Sequence, residues 1–244
     1  MIYAIGDVHG QYGMLRNIHE RIKADAAEAN VTDYHVVHVG DLVDRGPRSD
    51  AVVGYLMEAI EGGEPYTVLK GNHDRMFTGF MADPHKPDPI LRPEYTWLSS
   101  PLGGMETLQS YGVDVHGAAD VDGIHRQAVE MVPAEHIAFL SNLPISYQTD
   151  HYFLAHAGIR PGVPLDDQVE DDLIWIRHEF LNSTEDHPKV VIHGHTPEDD
   201  VLHYGNRIGI DTGAAYGGPL SVVVCDGPSV WLLSDRGRRR VPSA

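Results

Sequence analysis

The sequence predicts an α/β fold. Two observations carry this: short apolar segments alternate with helix-period segments over roughly the first seventy residues, and each apolar segment ends in Gly-Asp or Gly-Asn. A third is the series of short strand-like segments that returns after the middle of the chain.

The elements follow in order. Ile2–Ile5 is a short apolar strand running into Gly6 and Asp7. Met14, Leu15, Ile18 and Ile22 recur at helical spacing, with an Ala-rich stretch to Ala29. Residues 35–39 form a second strand, ending in Gly40 and Asp41. Val52, Val53, Leu56, Met57 and Ile60 mark a second helix, closed by Gly62 and Gly63. Residues 66–69 are a third strand, ending in Gly71 and Asn72. The spacing is that of βαβ units of about 30 residues, whose sites gather at the carboxyl ends of the strands. Asp7, Asp41 and Asn72 are thus expected on one rim.

From Arg75 to about Leu143 the pattern reads as helix and loop. Residues 83–93 carry four prolines and read as a loop. Helices are expected at Gly104–Ser110 and 133–142. The stretch is either a packing insertion or a lid over the substrate. Strands are then expected at 145–148, Tyr152–Ala155, Val190–His193, 201–204, 207–210, 220–225 and 230–233, with a Trp-containing helix near 171–181. The Gly, Asn and Asp between these strands suggest an antiparallel set with a hairpin at Gly205 and Asn206. The basic cluster Arg236, Arg238, Arg239 and Arg240 reads as a solvated terminus.

Composition narrows the function. The chain has 244 residues, with 36 Asp and Glu against 18 Lys and Arg, a net charge of −18. That balance argues against a general nucleic-acid coat, which needs clustered cations. A hydrophobic share of 42% allows a sizeable core. One cysteine, Cys225, excludes an internal disulfide framework and a multi-cysteine zinc site, and reads as a buried strand residue. No signal peptide and no apolar run of roughly 18 residues is visible, so the expectation is a soluble, cytoplasmic protein. The 16 histidines are many for this length and point to metal or acid–base chemistry.

Five segments concentrate that chemistry: Gly6-Asp7-Val8-His9-Gly10, Gly40-Asp41-Leu42-Val43-Asp44-Arg45-Gly46, Gly71-Asn72-His73-Asp74, Ala155-His156-Ala157-Gly158 and His193-Gly194-His195-Thr196. Each sets a ligand-type side chain at or just after a predicted strand end. The order G-D-x-H-G, G-D-x-x-D-R-G, G-N-H-D, then two later histidines, resembles the phosphoprotein-phosphatase branch of the metallophosphoesterases, from Gly6 to Ala214. The resemblance implies a β-sandwich flanked by helices, a four-layer α/β/β/α arrangement, in place of the plain doubly wound sheet suggested by the first strands. The whole chain, 1–244, is then expected to be one domain with a helical and loop insertion at about 75–143.

The donors are Asp, His and Asn with no Cys, a set suited to Mn, Fe or Zn. Asp7 and His9, two apart, can face one ion together with Asp41. Asp41 can bridge to a second ion held by Asn72, His156 and His195, the assignment the resemblance also implies. The expected cofactor is two divalent ions, Mn2+ first, Fe or Zn as alternatives, activating a water for attack on phosphorus. His73 is the candidate general acid, with Asp44 hydrogen-bonded to its ring and keeping its pKa high. Arg45 can clamp the phosphoryl oxygens. A second arginine is expected from the resemblance at Arg177, in Ile174-Trp175-Ile176-Arg177, with Arg160 as its competitor. His193 is left structural, because Pro197 stands where a related branch carries a second histidine. Asp74 replaces a glutamate common in eukaryotic members. Asp211-Thr212-Gly213-Ala214 reads as a strand-to-turn element near the site.

Two substrates fit the resemblance: phosphoserine or phosphothreonine in protein, and diadenosine tetraphosphate (Ap4A) cleaved symmetrically. Asp44 favours the first, because enterobacterial hydrolases of the second kind typically carry Ala there. The sequences around His73 and His156 lie slightly closer to the second. A metal-binding pseudo-enzyme would lack a ligand or the acid, and here each expected position is filled. The expected partner is a phosphorylated protein, or a phosphorylated small molecule or nucleotide, with neither membrane nor duplex nucleic acid.

Overall fold

The computed structural model describes residues 1–117 and 120–244. Strands β1 (Ile2–Ile5), β2 (His35–His38) and β3 (Tyr66–Val68) pair in parallel, connected through helices α1 (Tyr12–Glu28) and α2 (Ser49–Glu61). Helix α3 (Asn72–Ala82) follows β3, then come α4 (Gly104–Ser110), α5 (Val121–Met131) and α6 (Ala134–Ser141). Next are β4 (Ser146–Gln148), β5 (Tyr152–Ala155), the short helices α7 (Glu170–Trp175) and α8 (His178–Leu181), β6 (Val190–His193), β7 (Leu202–His203) and β8 (Arg207–Gly209). The chain closes with β9 (Val222–Asp226), β10 (Ser229–Ser234) and β11 (Gly237–Arg240).

Two sheets result, of order β11-β10-β9-β1-β2-β3 and β4-β5-β6-β8-β7. Period-two alternation sorts their side chains into layers. From β1, Tyr3 and Ile5 enter the core shared with Leu15, Ile18, Ile22, Val52 and Leu56 of α1 and α2. Ala4 points the other way and meets Val37, Leu154, Ile192, Ile208 and Val223 between the sheets. On β5, Leu154 faces that middle layer, while Phe153 and Ala155 pack outward on Leu173, Ile174 and Phe180 of α7 and α8. The four-layer α/β/β/α sandwich follows from these faces. Each fully buried aliphatic in them stabilises by about 1.5–3 kcal/mol.

The last third departs from the expected antiparallel set. Strands β5, β6 and β8 pair in parallel, and β9, β10 and β11 join the first sheet instead of the second. The β5–β6 connection carries α7 and α8, and a helical crossover of that length permits parallel neighbours. The expected helix at 171–181 is broken at Ile176 and Arg177, whose backbones leave the helical region. Helix α5 lies within the stretch read as helix and loop, outside the two helices placed there; its buried face is only Ile124 and Ala128, capped by Asp120 accepting the Gly123 N–H at 2.8 Å.

The basic tail is solvent-exposed at Arg236, Arg239 and Arg240, as expected, but it is not a free end. It is strand β11, tied to α1 by Arg238, whose Nε and Nη2 reach Asp25 at 2.9 and 2.7 Å. Tyr3 donates to the same carboxylate at 2.6 Å. Burial raises the Asp25 pKa, but the Arg238 and Tyr3 hydrogen bonds outweigh it and hold the carboxyl below its ordinary range.

A chain of neutral groups crosses the core beneath the rim. His38 Nδ1–H donates to the Thr67 carbonyl at 3.4 Å, so its Nε2 is an acceptor. His19 Nε2–H therefore donates to His38 Nε2 at 2.9 Å, and Tyr55 O–H donates to His19 Nδ1 at 2.8 Å. Burial lowers the pKa of both rings, that of His38 to about 4. A histidine whose folded pKa is depressed binds its proton in the unfolded chain first, so stability falls as pH drops below about 6.5. Each ring contributes up to about 1.4 kcal/mol per pH unit. Urea midpoints between pH 7.5 and 5 are expected to fall more steeply for the wild type than for His19→Leu; equal slopes would remove the pair as the cause.

Candidate active site

The carboxyl ends of β1, β2, β3, β5 and β6 converge on one rim, and the five motifs meet there. The turns are sharp. His9, Asp41, Asp44, Arg45 and His195 all have positive φ, between 42° and 74°. Such backbone strain in non-glycine residues persists where the surroundings over-determine it, and it clusters at functional sites. Two glycines permit the approach: a Cβ on Gly71 would strike Asp41, and one on Gly194 would strike Asp7 Oδ1.

Asp41 sits at the centre. Its Oδ2 lies 3.5 Å from His9 Nε2 and its Oδ1 3.3 Å from His156 Nε2. It belongs to two groups whose donor atoms lie within 4.8 Å of one another, His9–Asp41–His73 and Asp41–His156–His195. Asn72 Oδ1 is 3.0 Å from His156 Nε2, and His195 Nδ1 is 3.2 Å from the same nitrogen. Asp7 lies outside both groups, with Oδ2 accepting the His195 N–H at 2.9 Å.

The tautomers test whether cations fit. His9 Nδ1–H donates to the Val43 carbonyl at 2.7 Å and His156 Nδ1–H to the Val39 carbonyl at 3.1 Å. Both Nε2 lone pairs therefore face Asp41, and His156 Nε2 also faces the Asn72 oxygen. Among the described residues, Asp7 Oδ1 and His195 Nε2 are buried without a hydrogen-bond partner. Burial, then Asp211 and Asp41, pushes the Asp7 pKa up; burial likewise raises Asp211. Converging acceptors and crowded buried carboxylates need positive charge to offset their desolvation. The donor set fits two divalent cations sharing Asp41.

Beside this cluster, His73 Nδ1 is 2.6 Å from Asp44 Oδ2. Asp44 also accepts from Trp97 Nε1–H at 2.8 Å and Thr107 O–H at 2.7 Å. Burial pushes Asp44 up to about 8 and His73 down to about 3. The expected high pKa of His73 is not found: burial disfavours the imidazolium more than Asp41 favours it, and Arg45 lowers it further. The carboxylate still fixes the ring: Nδ1 faces Asp44, and Nε2 faces Arg45 Nη2 at 3.0 Å.

A model of the calcineurin-like phosphoesterase family matches residues 1–224. The chain belongs to that family. It is 31% identical over 160 residues to a symmetrical bis(5'-nucleosyl)-tetraphosphatase of Methylococcus capsulatus, a match that covers 66% of this chain but only 44% of the relative. It is 25% identical over 229 residues to serine/threonine-protein phosphatase 1 of Salmonella typhimurium, covering 91% and 90% of the two chains. Its fold is shared with a cold-active protein-tyrosine phosphatase of a psychrophilic Shewanella, at a TM-score of 0.63 and 17% identity, over 98% of this chain and 80% of the other. Among the described residues, no helix of this phosphoesterase is long and apolar enough to cross a membrane.

The arginines divide clearly. Arg45 reaches both His9 Nε2 and His73 Nε2. Arg177, freed by the break between α7 and α8, donates to Thr196 Oγ1 at 3.3 Å; burial lowers its pKa, and the nearby charges it feels are Asp41, Arg45 and Asp7. Arg160 instead pairs with Asp172 and turns to solvent. His193 uses both nitrogens, Nδ1–H to the Gly194 carbonyl at 3.0 Å and Nε2 to Arg207 at 3.2 Å, so no lone pair is left for an ion. Asp74 accepts the Leu42 and Gly71 N–H groups at 3.0 and 2.9 Å, binding two rim turns together.

Sequence reasoning missed Trp97, Thr107 and Tyr216. The first two hold Asp44 from 53 and 63 residues away, and no local pattern marks them. Tyr216 lies with its ring centroid 5.4 Å from the Arg45 guanidinium and is 66% exposed. The Gly-rich segment around it was the available signal.

Proposed function

We propose that this phosphoesterase hydrolyses phosphate monoesters and acts on phosphoserine and phosphothreonine in protein, in the cytoplasm, with two Mn2+ ions. The Asp44–His73 pair carries the reading. A serine or threonine alkoxide is a poor leaving group, and an oriented imidazole within reach of the phosphorus helps it most. Near-complete coverage of both chains in the match to the Salmonella phosphatase supports the same choice.

In this reading Asp7, His9 and Asp41 hold one ion, and Asp41, Asn72, His156 and His195 the other. When bound, the ions supply Lewis acidity and an activated water. Arg45 and Arg177 grip the phosphoryl oxygens through their planar forks. His73 Nε2, which accepts from Arg45 here, would take up a proton from solvent and deliver it to the departing oxygen, while Asp44, held by Trp97 and Thr107, fixes the ring. Arg45→Ala is expected to weaken inhibition by inorganic phosphate by about 10- to 100-fold, the loss of one charged hydrogen-bonding group. Metal content should stay the same; an unchanged inhibition constant removes Arg45 from the phosphate site.

Symmetrical cleavage of diadenosine tetraphosphate is the second reading. Tyr216 favours it, because an exposed ring beside Arg45 offers a nucleobase a stacking surface next to bound phosphate. Parallel kinetics on a phosphoserine peptide and on diadenosine tetraphosphate, with Mn2+, separate the two. The expected kcat/KM is about tenfold or more higher for the peptide; the opposite order moves the assignment to the dinucleotide.

A further inference from the structure

The turn that carries Asp44 and Arg45 is gripped from the helical segment between β3 and β4. Thr107 of α4 is fully buried, and its hydroxyl serves the turn twice: it donates to Asp44 Oδ1 at 2.7 Å and accepts the Asp44 N–H at 2.7 Å. Ser49 Oγ lies 3.2 Å from Thr107 Oγ1 and 3.2 Å from the same N–H. Just before α4, the Gly103 carbonyl accepts the Arg45 N–H at 3.2 Å, and a Cβ on Gly103 would strike the Arg45 backbone. The grip falls on strained backbone. Asp44 and Arg45 have φ of 74° and 66°, a region that non-glycine residues hold only where their surroundings enforce it.

Trp97 completes the grip. Its ring packs on Phe77 and Phe80 of α3, at centroid distances of 5.2 and 4.8 Å, and the first turn of that helix carries His73. A Cβ on Gly104 would come within 2.6 Å of the indole, so the ring is wedged between α3 and the start of α4. From there Nε1–H reaches Asp44 Oδ2 at 2.8 Å, the same oxygen that meets His73 Nδ1 at 2.6 Å. An indole N–H can only donate, so Oδ2 must present a lone pair to it. With Thr107 on the other oxygen, the carboxyl group cannot swing about its Cβ–Cγ bond without breaking a buried hydrogen bond.

We propose that Trp97 and Thr107 are positioning residues that set which esters the enzyme can cleave: by fixing both oxygens of Asp44, and through them the His73 ring, they extend cleavage to esters whose leaving oxygen needs a proton. This rests on His73 as the general acid. His73 Nε2 gives its proton to the ester oxygen as the P–O bond breaks and regains one from solvent; Trp97 and Thr107 keep theirs throughout. Without them the ring is free to turn away, and only activated esters, whose leaving group departs as a stable anion, are still cleaved well. The segment between β3 and β4 then acts as the mount of the acid, in addition to its packing on α2 and α3.

The test uses the full chain with Mn2+. Trp97→Phe keeps a ring against Phe77 and Phe80 and removes the N–H; Thr107→Val keeps the shape and removes the hydroxyl. Each should lower kcat on a phosphoserine peptide by about 10- to 100-fold, the effect of one hydrogen bond to a charged group, with KM unchanged. On p-nitrophenyl phosphate each should lower kcat by about threefold or less. Thr107→Ser restores the hydroxyl and should stay within about threefold of the wild type on the peptide. Placed on His73→Asn, Trp97→Phe should slow the peptide reaction by no more than about twofold further, because the acid it serves is gone. If Thr107→Val does not fold, Trp97→Phe alone and on His73→Asn decides the matter. Equal losses on both substrates, a full additive loss on His73→Asn, or Thr107→Ser as slow as Thr107→Val would each overturn the proposal while His73→Asn still separates the substrates. If His73→Asn itself slows both substrates equally, the acid and its mount fall together.

Discussion

Asp41→Asn is expected to abolish binding of both cations and to lower kcat/KM by about a thousandfold or more, the several kcal/mol a dimetal site supplies. Asp41 alone belongs to both donor groups, so its loss strikes both ions at once. An amide keeps the shape but presents one neutral oxygen where a carboxylate could bridge. The fold should survive, because Asn tolerates the positive φ of 50° at this turn. The amide oxygen can still accept the His73 N–H that Oδ1 accepts at 3.0 Å. The check is metal content by elemental analysis beside turnover. Chelation of the wild type should reproduce the loss, and Mn2+ should reverse it. A variant that keeps two ions and most of its activity would refute the shared-carboxylate site.

His73→Asn separates substrates by leaving group. Phosphoserine peptides should slow by about 10²- to 10⁴-fold, the range for removal of a positioned general acid. p-Nitrophenyl phosphate should slow by about tenfold or less, because p-nitrophenolate departs without a proton. The ring is positioned for this role by three donors converging on one carboxylate: His73 Nδ1, Trp97 Nε1 and Thr107 Oγ1 all reach Asp44. Equal losses on both substrates would show that His73 acts through the cluster's structure or charge, not as the acid.

Much of this site was legible before the fold was known. Gly-Asp and Gly-Asn after an apolar run announce a strand end with a ligand-type side chain, and repetition at βαβ spacing puts those ends on one rim. Asp7, Asp41 and Asn72 were found that way, and His9, His73 and Asp44 from the motifs and the family they resemble; the structure draws all six together with His156 and His195. The choice between Arg177 and Arg160 was not legible. It turns on a helix break at Ile176 and on whether Asp172 captures Arg160, and neither is written in the local pattern.

The same division holds for the whole chain. Periodicity and strand-end chemistry are local, so apolar spacing was enough for the alternating elements of the first seventy residues, and the motifs were enough for the donor set, without any fold in view. Pairing is not local. Whether β9 lies beside β1, whether Arg238 finds Asp25, and whether Trp97 and Thr107 reach Asp44 depend on chain segments returning across 53 to 223 residues. Those partners are selected by packing and burial among competing surfaces, which only the assembled layers supply.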